Sequence, residues 1–400
     1  GYGLVDAHKA VATAKLFHLS YNINGIQSIG ICEENTYTLI GTIPNGFNIE
    51  WETSPNLYII NGQGTQSVTV GALYPSNNNY IIANICFLET IAKQVNFDNI
   101  VSTGNGHLPL SNQDLIIDQN SILTTDCSFG SSLIVDSGFV YTITGTLYCA
   151  PTARIIVRPG GRLVVDGGVL TSACDGEMWQ GIVVEGHAIQ PQSPTNQGVV
   201  ELKNGAVIEN AVLGLDVKSG GIVTAEDATF RNCSTSVSFA PYAAAQLHGG
   251  IINNASHFLQ CHFLTDGGNH FPEHGIGNNT HLHLWGVNGI GIKGCTFANT
   301  TGGQSGSRGY GIRAEDAGFN IDTYCPGGIF LSDCTCEPSD ATYSTFQGFD
   351  KAVEANTTGN QYAVRINQAR FTGNGTGVSI NGNNYTTVTR CDFDLTQVPA

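Results

Sequence analysis

From about residue 105 onward, apolar residues alternate with polar ones in short runs, and one four-residue pattern recurs. It reads Asp227-Ala228-Thr229-Phe230, Gln260-Cys261-His262-Phe263, Gly294-Cys295-Thr296-Phe297, Asp333-Cys334-Thr335-Cys336, Gln368-Ala369-Arg370-Phe371 and Arg390-Cys391-Asp392-Phe393. A polar residue separates a small one from a Phe, so period-two alternation turns the small residue and the Phe to one face, inward. Gly and Asn follow, as in Thr372-Gly373-Asn374-Gly375. Recurrence every few tens of residues predicts a solenoid, and strands separated by Gly/Asn turns make it a parallel β-helix. Equivalent residues of successive coils then stack about 4.8 Å apart. The Phe slots become an aromatic ladder, and Cys261, Cys295, Cys334 and Cys391 join the alanines in a ladder of small, buried, inert side chains.

Residues 24–90 alternate differently. Thr36-Tyr37-Thr38-Leu39, Asn48-Ile49-Glu50-Trp51, Ser67-Val68-Thr69-Val70 and Tyr80-Ile81-Ile82-Ala83 are short β-forming runs between turns such as Pro44-Asn45-Gly46 and Asn61-Gly62-Gln63-Gly64. This predicts a β-sandwich with Trp51 in its core. Cys32 and Cys86 bracket the segment, and a bridge between its first and last strands is one connectivity open to them. Residues 1–19 predict a helix capped by Asp6, with Ala7, Ala10, Val11 and Ala14 on one side.

Composition narrows the function. Charged residues make up 12% of the 400, half the usual ~25%. The net charge of -16 argues against nucleic acid, whose phosphates need Lys and Arg, and against an anionic membrane surface. No segment approaches the ~20 apolar residues of a membrane-spanning helix. The twelve cysteines lack the paired spacing of a zinc site.

Three resemblances add to this. Gly1-Tyr2-Gly3-Leu4-Val5-Asp6-Ala7 and the following Lys-Ala-Val helix resemble the C-terminal end of subtilisin-like serine peptidase domains. The 24–90 segment resembles the immunoglobulin-like, PKD-like modules that follow such domains in secreted bacterial proteins. Residues 155–165, Met178-Trp179-Gln180-Gly181-Ile182, 204–209, 220–223 and 228–232 resemble the right-handed β-helix of large extracellular proteins exported by the type IX route, with Leu284-Trp285 and Arg308-Gly309-Tyr310-Gly311-Ile312 fitting further on. Together they imply an all-β chain: a helical remnant over 1–19, an Ig-like sandwich over 24–90 and a right-handed parallel β-helix over 105–400. They imply the extracellular or cell-surface, non-catalytic stalk or binding region of a serine endopeptidase. The catalytic Asp, His and Ser would precede Gly1 and the sorting domain would follow Ala400, so no catalytic residue is carried over. Asp6 matches the family's last helix only.

Two clusters carry candidate chemistry. His270, His274, His281 and His283 form the densest histidine group, and alternation with Leu282 and Leu284 turns His281 and His283 outward, where they could hold zinc. The plainer reading is a polar loop and a surface strand. Arg308, Arg313, Glu315, Asp316 and Asp322 are the candidates for a polysaccharide site, with Arg313 and Glu315 outward around Ala314. Solvated charges on an exposed strand are the plainer reading here too. Trp179 and Trp285 suit either sugar stacking or a core position. No residue pattern calls for a cofactor; calcium is compatible with a β-helix face, but no set of residues specifies it. The partners that fit are a polysaccharide or a cell-surface protein, which leaves an enzyme acting on polysaccharide and a surface adhesin as the rival functions.

Overall fold

The computed structural model describes residues 21–43, 48–72, 78–85, 89–98, 100–103, 106–111, 114–174, 176–242, 253–267, 279–302, 306–326, 341–358, 362–382 and 385–394. The helix expected over 1–19, Cys86, Cys334, Cys336, His270 and His274 lie outside these residues. Among them there is no helix, hence none long and apolar enough to cross a membrane. The chain divides into two units, 1–112 and 113–400.

The first unit is a β-sandwich. Strands 22–24, 34–40, 67–72 and 57–61 form one sheet, and strands 28–30, 89–98, 79–85 and 49–53 the other. The four expected strands are all present, and Trp51 is buried with Tyr37, Leu39, Val68, Val70 and Ile81. The Trp51 indole N–H donates to the Thr65 carbonyl at 2.8 Å, satisfying the one polar atom that its burial would strand. Cys32 is disulfide-bonded. Strands 100–103 and 106–111 pair as an antiparallel hairpin outside both of these sheets.

The second unit is a right-handed parallel β-helix of ten described coils, each contributing one strand to each of three faces. We number the coils in chain order. The coils that matter below are coil 6 (235–239, 257–259, 262–265), coil 7 (280–285, 290–293, 296–299), coil 8 (310–315, 319–322, 344–347), coil 9 (351–356, 363–367, 369–372) and coil 10 (376–381, 385–389, 392–394). All pairings between coils are parallel, so like positions stack.

The recurring motif is the corner entering the third face plus that face's first residues. Its first residue turns the chain in the left-handed region: Asp227 (φ 51°), Gln260 (52°), Gly294 (62°), Gln368 (51°) and Arg390 (54°). Each corner N–H meets the next coil, as Asp227 does at the Leu259 carbonyl (3.0 Å) and Gln260 at that of Lys293 (2.8 Å). The small residue and Phe then point inward. Phe230, Phe263, Phe297, Phe346, Phe371 and Phe393 stack almost parallel at centroid distances of 4.4–5.1 Å.

The Phe346 slot corrects the sequence reading. Phe346, preceded by Ser344, pairs with Phe297 and Phe371, so Asp333-Cys334-Thr335-Cys336 is not the rung that follows Phe297. The motif is short, and the copy with Ser344 in the small slot and Phe346 in the aromatic slot is the one that continues the stack.

The cysteine ladder holds at Cys261 and Cys295, whereas Cys391 is only half-buried. Cys261 and Cys295 are fully buried free thiols, and burial pushes the Cys295 thiol far up in pKa. Cys127, Cys149, Cys233 and Cys391 are also free, whereas Cys174 and Cys325 are disulfide-bonded.

One glycine explains the Met178-Trp179-Gln180-Gly181-Ile182 element. Gly181 has φ 93°, and a Cβ there would lie 1.6 Å from the Leu213 carbonyl oxygen. The register shifts between Gly181 and Ile182, so each later first-face strand gains an extra inward position. Trp179 itself is core, its indole N–H bonded to the Glu209 carbonyl at 2.9 Å.

Candidate functional site

The extra inward position decides the histidines. It runs through Ser236 and His281, because Leu213, Thr235 and Thr280 align on one side of it and Leu215, Val237 and Leu282 on the other. His281 and Leu282 are therefore neighbours that are both fully buried. The expectation that His281 points outward is overturned: alternation fails where the strand carries the extra residue. The His281 ring sits among Phe263, Phe297 and Phe349. Its Nδ1 is 2.9 Å from the Ser236 hydroxyl and its Nε2 3.3 Å from that of Thr265. Burial lowers its pKa to about 3, outweighing a bond to the Ala298 backbone.

A pH dependence follows. Between pH 6.5 and about 3 the unfolded chain protonates this imidazole and the native chain does not. Its contribution is complete above 6.5 and shrinks as pH falls, by at most about 1.4 kcal/mol per pH unit. Denaturant melts from pH 7 to 4 should show a shallower loss for His281→Leu than for the native chain. Equal slopes would remove His281 as the cause.

His283 does face outward and begins the one patch on the first face where candidate residues converge. Register places Ser238, His283, Arg313 and Glu354 in one row across coils 6–9. Trp285, Glu315 and Asn356 form the next row, and Tyr310 and Lys351 the row on the other side. Leu282, Leu284, Ile312, Ala314, Val353 and Ala355 point inward beneath them.

The patch is a network of paired charges around two aromatic rings. Arg313 reaches Glu315 at 2.9 Å and Glu354 at 3.8 Å, and Lys351 also binds Glu354. The Arg313 guanidinium carbon lies 5.6 Å and the Lys351 ammonium 6.0 Å from the Tyr310 ring centre. The Arg313 Nε is buried without a hydrogen-bond partner. His283 Nδ1 lies 3.1 Å from the Ser238 hydroxyl, and burial lowers its pKa against the pull of Glu315. Trp285 is 50% exposed, an unusual position for so large an apolar ring. Next to this patch lies a cavity of about 470 Å³, lined by Tyr310, Lys351, Asp350, Ser307, Asn279 and Thr376. A stacking ring, fixed donors and acceptors, and a wet recess suit a polyhydroxylated ligand.

The other candidates fall elsewhere. Arg308 is not on this surface: its side chain is 3% exposed, and Nε binds Asp350 at 3.3 Å. Its Nη1 donates to the Gly373 carbonyl at 3.3 Å, so both ends of the guanidinium are engaged. Asp316 has φ 47° at a corner, and its carboxylate accepts the Thr358 N–H at 2.6 Å and hydroxyl at 2.9 Å. Asp322 lies on the second face, accepting from the Thr323 N–H and the Asn367 amide, both at 2.8 Å. Of the metal candidates, His281 is sealed in the core, and among the described residues no group of three or more His, Cys, Asp or Glu side chains is placed to hold a metal ion.

Sequence reasoning missed Lys351 and Glu354. Their signal was there in Lys351-Ala352-Val353-Glu354-Ala355, but only the coil-to-coil register sets it beside Arg313. Compared with known proteins, the chain matches no protein-family model, no curated protein and no solved structure.

Proposed function

We propose that this chain is the non-catalytic, extracellular binding region of a larger secreted protein, and that the first face of its β-helix binds saccharide. The observation that carries the reading is the half-exposed Trp285 ring paired with Glu315, one row from Arg313. Both carboxylates of the patch are already engaged by cations, which is binding chemistry: it orients a ligand's hydroxyl groups without calling for a proton donor. The low charge content and the Gly/Asn-rich turns fit a surface-exposed repeat protein. The resemblances at residues 1–7 and 178–182 support a subtilisin-like peptidase with type IX export as the parent. The two-sheet sandwich would be its Ig-like module.

Binding of the chain to an immobilised polysaccharide panel tests this. Trp285→Ala is expected to weaken the bound glycan about tenfold or more, since an exposed aromatic anchor carries much of such an interface. Unchanged binding would sink the assignment of the first face. Release of reducing or unsaturated sugar ends, abolished by Arg313→Ala, would make the chain an enzyme instead.

A further inference from the structure

A second site lies on the second face of coils 7–10, away from the tryptophan patch. There a groove of about 450 Å³ is lined by two rows of outward side chains. Asn320, Arg365 and Thr387 align in one row; Lys293 and Asp322 align in the other, continued by Asn367 and Thr389. We propose that this groove binds an extended acidic polysaccharide, holding its carboxylates with Lys293 and Arg365.

The charges carry the argument. The chain has 32 Asp and Glu against 16 Lys and Arg, so a cation readily finds a partner. Arg158, Arg162, Lys203, Lys218, Arg231, Arg308, Arg313 and Lys351 all do. Lys93, Arg154 and Arg370 have no ion pair among the described residues, and neither do Lys293 and Arg365, which are both exposed. Yet both line one groove.

The one carboxylate among the lining residues, Asp322, is held in the wall. Asp322 Oδ1 accepts from Asn367 and the Thr323 N–H, and Asn367 Oδ1 in turn accepts from the Thr389 hydroxyl (3.2 Å) and Arg390 Nε (3.0 Å). This hydrogen-bonded row fixes the wall before any ligand arrives, which lowers the ordering cost of binding.

The pattern selects the ligand. Lys293 and Arg365 sit two coils apart, about 10 Å along the axis at ~4.8 Å per coil. Charges spaced so widely match a polymer with carboxylates at intervals. A duplex nucleic acid, with one phosphate charge per ~1.7 Å of axis, would call for many more cations than these two. Asn320, Thr387 and Thr389 offer the intervening hydroxyl groups donors and acceptors, and Arg365 presents the planar fork that suits a carboxylate.

The test uses the full chain with polygalacturonate, its methyl-esterified form, chondroitin sulfate and dextran as probes, titrated at low and at raised salt. The expected result is salt-sensitive binding of polygalacturonate that esterification abolishes. Lys293→Ala with Arg365→Ala should weaken it tenfold or more while the thermal midpoint stays unchanged. Trp285→Ala should leave this salt-sensitive component intact, so loss of one face's binding is distinguishable from loss of the other's. Polygalacturonate binding that survives the double substitution, or that ignores esterification, would overturn the proposal. Tighter binding of chondroitin sulfate would overturn the carboxylate assignment.

Discussion

Phe297→Ala is expected to destabilise the β-helix by about 3–5 kcal/mol, the cost of emptying a buried aromatic site that cannot collapse. Phe297 lies mid-stack, 4.4 Å from the Phe263 ring and 4.6 Å from that of Phe346, with no exposure. Parallel strands hold the rings above and below at the coil spacing, so neither can move into the gap. His281 and Phe263 would each lose a wall of their packing. The same substitution at Phe393 is the control. Its ring stacks on Phe371 at 4.7 Å but remains 44% exposed on coil 10. It should cost on the order of 1 kcal/mol, because much of its surface is wet already. Coils contact chiefly their neighbours, so the damage should be local first. Hydrogen exchange should quicken in the amides of coils 6–8 before the rest of the solenoid. Equal losses at Phe297 and Phe393 would mean that the stack contributes through area alone, not through its enclosed centre.

Asp350→Ala should cost about as much, again about 3–5 kcal/mol, because it leaves a buried guanidinium without its counter-charge. Asp350 does three things at once. Its carboxylate accepts the backbone N–H groups of Gly306 and Arg308, both at 2.8 Å, and binds Arg308 Nε at 3.3 Å. Arg308 then donates through Nη1 to the Gly373 carbonyl at 3.3 Å, tying the approach to coil 8 to the approaches to coils 9 and 10. Arg308→Ala removes the ion pair but leaves Asp350 its two N–H donors, so it should cost less than Asp350→Ala. The order of the two denaturation midpoints is the measurement. A loss under 1 kcal/mol for both would place the pair among ordinary surface ion pairs. The pair also lies beside the 470 Å³ cavity, so Asp350→Ala should disturb the rim that Tyr310 and Lys351 share with the first-face patch.

Much of the fold was legible from the chain. Alternation around Ala228-Thr229-Phe230 and its counterparts is a local property, and a period of two needs no knowledge of neighbours. The same holds for Trp51 and the four sandwich strands, and for Arg313 and Glu315 on either side of Ala314. The rung at Phe346 was not legible. A four-residue pattern has too little information to pick its true copy when the spacing varies.

The candidate site was legible as residues and not as a place. Arg308 and Arg313 look alike in sequence, five positions apart, yet one is buried against Asp350 and the other lies on a face. His281 and His283 look equivalent, yet the extra residue that enters the first face at Gly214 sends only the first into the core. By itself the sequence determined which side chains pair with the strand period, and therefore the ladders, the coil corners and the inward Phe stack. Only the tertiary structure decided which outward residues become neighbours, because those contacts run across coils, between residues 30 to 45 positions apart such as His283, Arg313 and Glu354. Register between coils is set by backbone hydrogen bonds and insertion lengths, and neither is written in any one coil.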